Sequence, residues 1–191
     1  ITQFASTMSL GGNLKVVLMD ECLHEDEKVR VGTVDNWVGT SLKELEIGVD
    51  YPIVSLNMKT GEMEDDVGRI ISDREDEVFE VTLEDGRMIR TNSEHPFLVF
   101  DYSLDVIVQK KFSDLEEGDP IFAFGQDGIF SEIDIKTIKS IGICKIRNLT
   151  VDKNHTFITE NGIPTHNCDQ LTHAAQGTLR ATMEEFAENT R

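Results

Sequence analysis

The chain has 191 residues, with 36 acidic side chains against 18 basic ones and a formal net charge of -18. That length holds one or two domains able to form a core without staples, and 39% hydrophobic with 28% charged residues is a globular balance, not a disordered one. So acidic a surface works against phosphate backbones, so no direct nucleic-acid binding is expected. No apolar run is long enough to span a bilayer and no signal peptide is apparent, so the expected location is cytoplasmic.

In chain order, Leu14 to Glu21 form an apolar run that ends on the acids Asp20 and Glu21, the pattern of a buried strand closing on a polar edge. The middle is different. Short alternating runs occupy Ile53 to Met58, Val78 to Leu83, Met88 to Thr91, Val106 to Lys110 and Ile133 to Val151. Turn signals separate them at Lys59-Thr60-Gly61, Glu84-Asp85-Gly86, Glu117-Gly118-Asp119 and Gln126-Asp127-Gly128. Asp-Gly between alternating runs predicts hairpins, so the middle is expected to be all-β. A faint repeat runs through it: the stretch from Ser41 to Ile53 echoes the stretch from Phe112 to Ile121, each with Leu and Gly leading into a Pro-containing strand start. From Leu171 the spacing of Ala175, Leu179, Met183 and Phe186 predicts one amphipathic helix.

Both changes of character fall on a cysteine, Cys22 and Cys168; the third, Cys144, lies inside the long β run and is expected to pack as a small hydrophobe. Three widely spaced cysteines are not a disulfide framework. None is paired at the close spacing of a structural zinc site, so no metal and no cofactor is expected. A disulfide between any two of the three would act as a redox brake. His24 and His173 match no motif and are expected on the surface.

Deleting residues 22–167 joins Lys15-Val-Val-Leu-Met-Asp-Glu21 to Cys168-Asp-Gln-Leu-Thr172. The joined text resembles the Walker B region of a sliding-clamp loader small subunit, replication factor C-like or phage, where an apolar strand ends in an acid pair that orders magnesium. Asp20 and Glu21 match that pair, and Phe4-Ala5-Ser6 resemble the stretch before the strand. No phosphate-binding Gly-rich loop is present, so the flanks are not a working ATPase. The resemblance implies flanks 1–21 and 168–191 cut from a DNA-replication protein.

Residues 22–167 resemble an intein of the Hint fold. The matching stretches are Cys22-Leu23, Leu83-Glu-Asp-Gly86 followed by His95-Pro-Phe97, Asn154-His-Thr-Phe157, and Asn161-Gly-Ile-Pro-Thr-His-Asn167 before Cys168. No LAGLIDADG-like segment interrupts them, so the resemblance is to a mini-intein without a homing endonuclease. It implies an all-β, horseshoe-like fold with a pseudo-twofold internal repeat, and autocatalytic splicing by the class 1 Cys/Asn/Cys route. Cys22 attacks the carbonyl of Glu21, Cys168 captures the thioester, and Asn167 cyclises to a succinimide. His95 protonates the leaving nitrogen of Cys22, His166 supports the Asn167 carbonyl, and His155 helps activate the Asn167 amide. A thiolate and an imidazole suit these tasks because one is a strong nucleophile and the other titrates near neutrality.

The sequence departs from that pattern twice. Asn92 replaces the usual Thr three residues before the first His, with Thr91 one place earlier, and Asn148 replaces the usual Asp seven residues before the second. An amide at 148 is not a base, so the coupling of the two cleavages is expected to differ, and Asn148→Asp to speed splicing. The expected partners are the chain's own flanks, the expected state a monomer, and the expected activity a single self-processing turnover. Two other classes fit parts of the text: a cleavage-only Hint autoprocessor, and an acidic β interaction module inserted in an ATPase. The Gln126-Asp127-Gly128 turn separates the two motif groups and is the expected split point.

Overall fold

The computed structural model describes Met8–Leu10, Leu14–Val16, residues 21–125 and residues 128–166, with side chains from Glu21 onward. The chain divides into two units, Asp20–Asn167 and a second that takes Ile1–Met19 with Cys168–Arg191. Of the second, two strands are described, β1 (Met8–Leu10) and β2 (Leu14–Val16), antiparallel with Met8 opposite Val16. The expected C-terminal helix lies outside the described residues. Among the described residues no helix is long and apolar enough to cross a membrane.

The larger unit is all-β. Its strands are β3 (Leu23–His24), β4 (Lys28–Thr33), β5 (Asn36–Ser41), β6 (Tyr51–Asn57), β7 (Glu62–Leu83), β8 (Met88–Thr91), β9 (Pro96–Asp101), β10 (Val106–Lys111), β11 (Pro120–Phe124), β12 (Phe130–Val151), β13 (Thr156–Ile158) and β14 (Pro164–His166). The expected repeat is present as structure. A hairpin β4–β5 runs into a single 3-10 turn at Leu42–Glu44, then β6 and the long β7; a hairpin β9–β10 runs into a 3-10 turn at Phe112–Asp114, then β11 and the long β12. β7 and β12 are each 22 residues long and pair antiparallel with one another from Leu83 opposite Ile135 to Gly68 opposite Val151. The expected turns at Lys59-Thr60-Gly61, Glu84-Asp85-Gly86 and Glu117-Gly118-Asp119 each separate two strands, while residues 126 and 127 of the fourth lie outside the described residues; Gly61 and Gly86 sit at positive φ of 74° and 88°, where a side chain would be strained.

The main sheet runs β11-β12-β3-β8-β7-β6-β4-β5, with β12 also paired to β7. Its inner faces bury one large cluster that includes Leu23, Ile53, Ile70, Val81, Phe97 and Ile121. Phe97 is 1% exposed, and truncating such a side chain to Ala costs about 3–5 kcal/mol. A second cluster joins Val54, Leu56, Leu98, Phe124 and Ile158. These two clusters fix the three stretches that carry the histidines: the loop into β9, the turn into β13, and β14.

Sequence and structure differ in strand length. The alternating run Val78 to Leu83 is only the end of β7, which begins at Glu62. The charged stretch Asp73 to Glu77 shows no hydrophobic period, yet it pairs residue by residue with Ile143 to Arg147 of β12. Backbone pairing in a long two-stranded ribbon does not require a buried face.

Candidate functional site

β3 is two residues long and wedged between β12 and β8, with Leu23 opposite Arg147 on one side and Thr91 on the other. One step back along both registers, Cys22 is level with Asn92 and with Asn148. Both amides are buried, at 0% and 3% exposure. The two amides singled out in the sequence therefore flank the candidate nucleophile.

Cys22 is itself 2% exposed and packs with Val78 and Ile146. Its carbonyl accepts the Thr91 hydroxyl at 3.1 Å and the Asn92 amide N–H at 3.4 Å. Its N–H donates to Asn92 Oδ1 at 3.4 Å. That N–H belongs to the peptide bond between Glu21 and Cys22, so the bond to be broken is held from the leaving-group side. Glu21 is half-buried.

The loop from Asn92 to His95 is a tight connection into β9. The His95 N–H donates to the Asn92 carbonyl at 3.3 Å, and Ser113 N–H to the Ser93 carbonyl at 3.0 Å. His95 is 1% exposed, and its ring meets Phe97 edge-on at 5.5 Å. Neither of its ring nitrogens has a hydrogen-bond partner among the described residues. Burial, and then the neighbouring His166, lower its pKa to about 3, so the ring is neutral at ordinary pH. A buried imidazole with both nitrogens unused is costly for stability alone; such groups concentrate at functional sites.

His166 ends β14, opposite Thr156 of β13. The β13–β14 turn closes through Asn161 and Gly162. Gly162 has φ 86°, and a Cβ there would lie 2.8 Å from the Phe124 carbonyl, so only glycine fits. His155 directly precedes β13 with φ 52°, the left-handed region. The preceding turn is clamped: Asp66 accepts the N–H groups of Lys153 at 3.2 Å and Asn154 at 2.9 Å. Asn154 Nδ2 also donates to Ser55 Oγ at 2.7 Å and to Glu64 at 3.2 Å. Glu64 pairs with Lys153, and the hydrogen bonds from Lys153, Asn57 and Asn154 lower its pKa to about 2.

The fold thus brings Cys22, Asn92 and Asn148 together at one point, and sets His166 close enough to His95 to oppose protonation of the His95 ring. Asp20, Asn167, Cys168 and His173 lie outside the described residues. His24, expected on the surface, is half-buried, with 13% of its side chain exposed. Its Nδ1 accepts the Asp26 N–H at 3.1 Å, and burial lowers its pKa. The cause is its place in β3, whose neighbours cover both edges. Cys144 is half-buried against the cluster that holds Cys22. Among the described residues no three His, Cys, Asp or Glu side chains are placed to hold a metal.

Sequence reasoning missed Thr91 as a contact of Cys22, and it missed the acids that hold the site residues: Asp76 for Asn92, Asp66 and Glu64 for the turn before His155. All three acids sit in charged stretches of β7 that look solvated in one dimension.

No family model and no curated protein matches the chain. Solved structures do. The DnaB intein from Synechocystis sp. PCC 6803 superposes with a TM-score of 0.64 at 21% identity, covering 78% of this chain and 99% of that one. The TvoVMA intein gives 0.66 at 17% identity, covering 78% and 99%. An intein from a hyperthermophile gives 0.60 at 20% identity, covering 77% and 99%. With its paired long strands and duplicated hairpin, turn and strand units, the chain has the Hint fold of the inteins.

Proposed function

We propose that the chain is a self-splicing mini-intein in which residues 22–167 excise themselves and join residues 1–21 to 168–191. The observation that carries this reading is the setting of Cys22: a buried thiol whose own N–H and carbonyl are both held, linked through Asn92 to His95, a buried imidazole whose ring nitrogens have no hydrogen-bond partner among the described residues.

The chemistry balances within the chain. Cys22 Sγ attacks the Glu21 carbonyl carbon, a C–S bond replaces the C–N bond, and the thiol proton ends on the Cys22 nitrogen. His95 relays it: burial keeps the ring neutral at ordinary pH, so it can take the thiol proton and pass it to the departing amide nitrogen within the step. The Sγ of Cys168 then displaces Cys22 from the thioester. The Asn167 side-chain nitrogen attacks its own carbonyl, closing a succinimide and freeing the Cys168 amino group, with His166 and His155 serving that step. The freed amine takes the acyl group from sulfur and leaves an ordinary peptide bond. Only an Asn before the scissile bond offers an amide at the reach of a five-membered ring.

We read the joined flanks as the Walker B strand and following helix of a clamp-loader small subunit, with Asp20 and Glu21 as its acid pair. The mass spectrum of the expressed chain tests the splicing reading. Splicing yields a ligated 1–21/168–191 product and a free 22–167 insert, and Cys22→Ala with Asn167→Ala abolishes both. Separate, unjoined flanks indicate cleavage alone, and a persistently intact chain overturns the reading. For the host, ATP hydrolysis by a clamp loader completed around the ligated product, lost on Asp20→Ala or Glu21→Ala, is the expected result.

A further inference from the structure

The Asn92 carboxamide bridges Cys22 and Asp76. Its Oδ1 accepts the Cys22 N–H at 3.4 Å, and its Nδ2 donates to Asp76 Oδ2 at 3.2 Å. The two ends of a carboxamide have nearly the same shape, so its partners decide which end faces which way. An ionised carboxylate only accepts hydrogen bonds. Asp76 therefore draws the amino end of Asn92 to itself and turns the oxygen toward Cys22; the opposite orientation would set donor against donor at the Cys22 N–H. Asp76 is itself fixed, its Oδ1 accepting the Glu77 N–H at 2.9 Å and its Oδ2 the Arg74 guanidinium at 2.9 Å.

We propose that Asp76 is a positioning residue for the first cleavage: it orients Asn92 and, through it, stabilises the Cys22 nitrogen as that nitrogen leaves. The inference rests on the splicing reading. In the ground state the Cys22 N–H is an ordinary amide donor. As the C–N bond breaks and the nitrogen takes a proton, its N–H groups gain positive character and bond more strongly to an acceptor already in place. A carboxylate behind that acceptor polarises it further. The interaction grows along the reaction, which is the condition for it to speed the step. Nothing in it involves Asn167, so the second cleavage is untouched.

The test uses the full chain in two backgrounds. With Asn167→Ala, release of residues 1–21 by hydroxylamine reads thioester formation; with Cys22→Ala, release of the C-terminal flank reads Asn167 cyclisation and reports folding. Asp76→Ala is expected to slow the first by about tenfold or more, the rate equivalent of one hydrogen bond to a charged acceptor, and to leave the second unchanged. Asp76→Asn, which still offers an oxygen to Asn92 but no charge, falls between. Adding Asp76→Ala to Asn92→Ala has no further effect. Equal slowing of both cleavages, no slowing of the first, or effects that multiply in the double variant would overturn the proposal. No release with Asp76 intact overturns the splicing reading, and this inference with it.

Discussion

The Thr91 hydroxyl donates to the Cys22 carbonyl oxygen at 3.1 Å, and both residues are buried. On the proposed splicing route the bond anchors the acyl side of the nucleophile's own residue, so that the Cys22 backbone stays put while its nitrogen is released. Thr91→Val keeps the shape and removes the donor. Its expected cost is about 1 kcal/mol of stability, and about fivefold in the rate of thioester formation, while Thr91→Ser retains both. Urea melts and hydroxylamine-triggered release of residues 1–21 read the two effects separately; a normal release rate in Thr91→Val would remove the anchoring role.

His95 makes the fold acid-sensitive. Its folded pKa is near 3 against 6.5 in the unfolded chain, because burial and then His166 oppose its charge. Between those values the unfolded state holds a proton that the native state does not, so native stability rises with pH up to about 6.5 and is level above it. Falling from pH 7 to pH 4 is expected to cost about 3 kcal/mol through this one group. In a chain disabled by Cys22→Ala and Asn167→Ala, His95→Gln is expected to flatten that part of the profile. A profile unchanged by His95→Gln would show that His95 titrates normally.

How much of this was legible in one dimension depended on where each residue gets its role. Turns announce themselves locally: Asp85-Gly86 and Thr60-Gly61 need particular backbone angles, so they mark hairpins without reference to the rest of the chain. The repeat was visible because each copy makes the same local move, a 3-10 turn with Leu and Gly leading into a Pro-containing strand start, and that move leaves its residues in order along the chain. Asp76 and Asp66 left no such mark. Asp76 acts through a hydrogen bond to a residue 16 positions away and Asp66 through two, to residues 87 and 88 positions away, and no periodic signal encodes partners at those distances. The shallow β4–β5 hairpin was missed for a related reason. Its strands expose Val38 at 64% and carry Gly32, Gly39 and Asn36, so its pattern is too weak to separate from loop.

The Asp66 clamp predicts a variant that separates the two cleavages. Asp66 accepts two successive backbone N–H groups in the turn that sets His155 at positive φ. Asp66→Ala removes both acceptors and lets that turn relax, while the part of β7 that meets the Cys22 pocket, Asp76 to Val78, lies ten and more residues further along the strand. Cyclisation of Asn167 is expected to slow by about tenfold, the equivalent of one to two hydrogen bonds of positioning, with thioester formation unchanged. Flank release in the Cys22→Ala and Asn167→Ala backgrounds measures each step. Equal slowing of both would make Asp66 a general stabiliser.

Cutting the chain between residues 127 and 128 tests how the two halves are held. Residues 126 and 127 lie outside the described residues, but their neighbours define the connection: Phe124 pairs with Phe130, and the Gly125 N–H donates to the Ile129 carbonyl at 2.7 Å. The cut therefore opens a hairpin at its tip. It leaves β7 on the first fragment and the whole of β12 on the second, so the ladder from Leu83–Ile135 to Gly68–Val151 becomes an intermolecular interface, joined by the β11–β12 pairing. That interface is long, and it buries backbone groups that would otherwise lie open along two unprotected edges. Fragments 1–127 and 128–191 are expected to associate on mixing and to yield the ligated 1–21/168–191 product. Gly142 offers a control. It sits at φ 87° at an irregularity in the same ladder, so Gly142→Val strains β12 without touching Cys22. It is expected to weaken fragment association while leaving the splicing rate of the uncut chain nearly unchanged. If the mixed fragments stay apart at concentrations where each is soluble, the long ladder is not the principal contact between the halves.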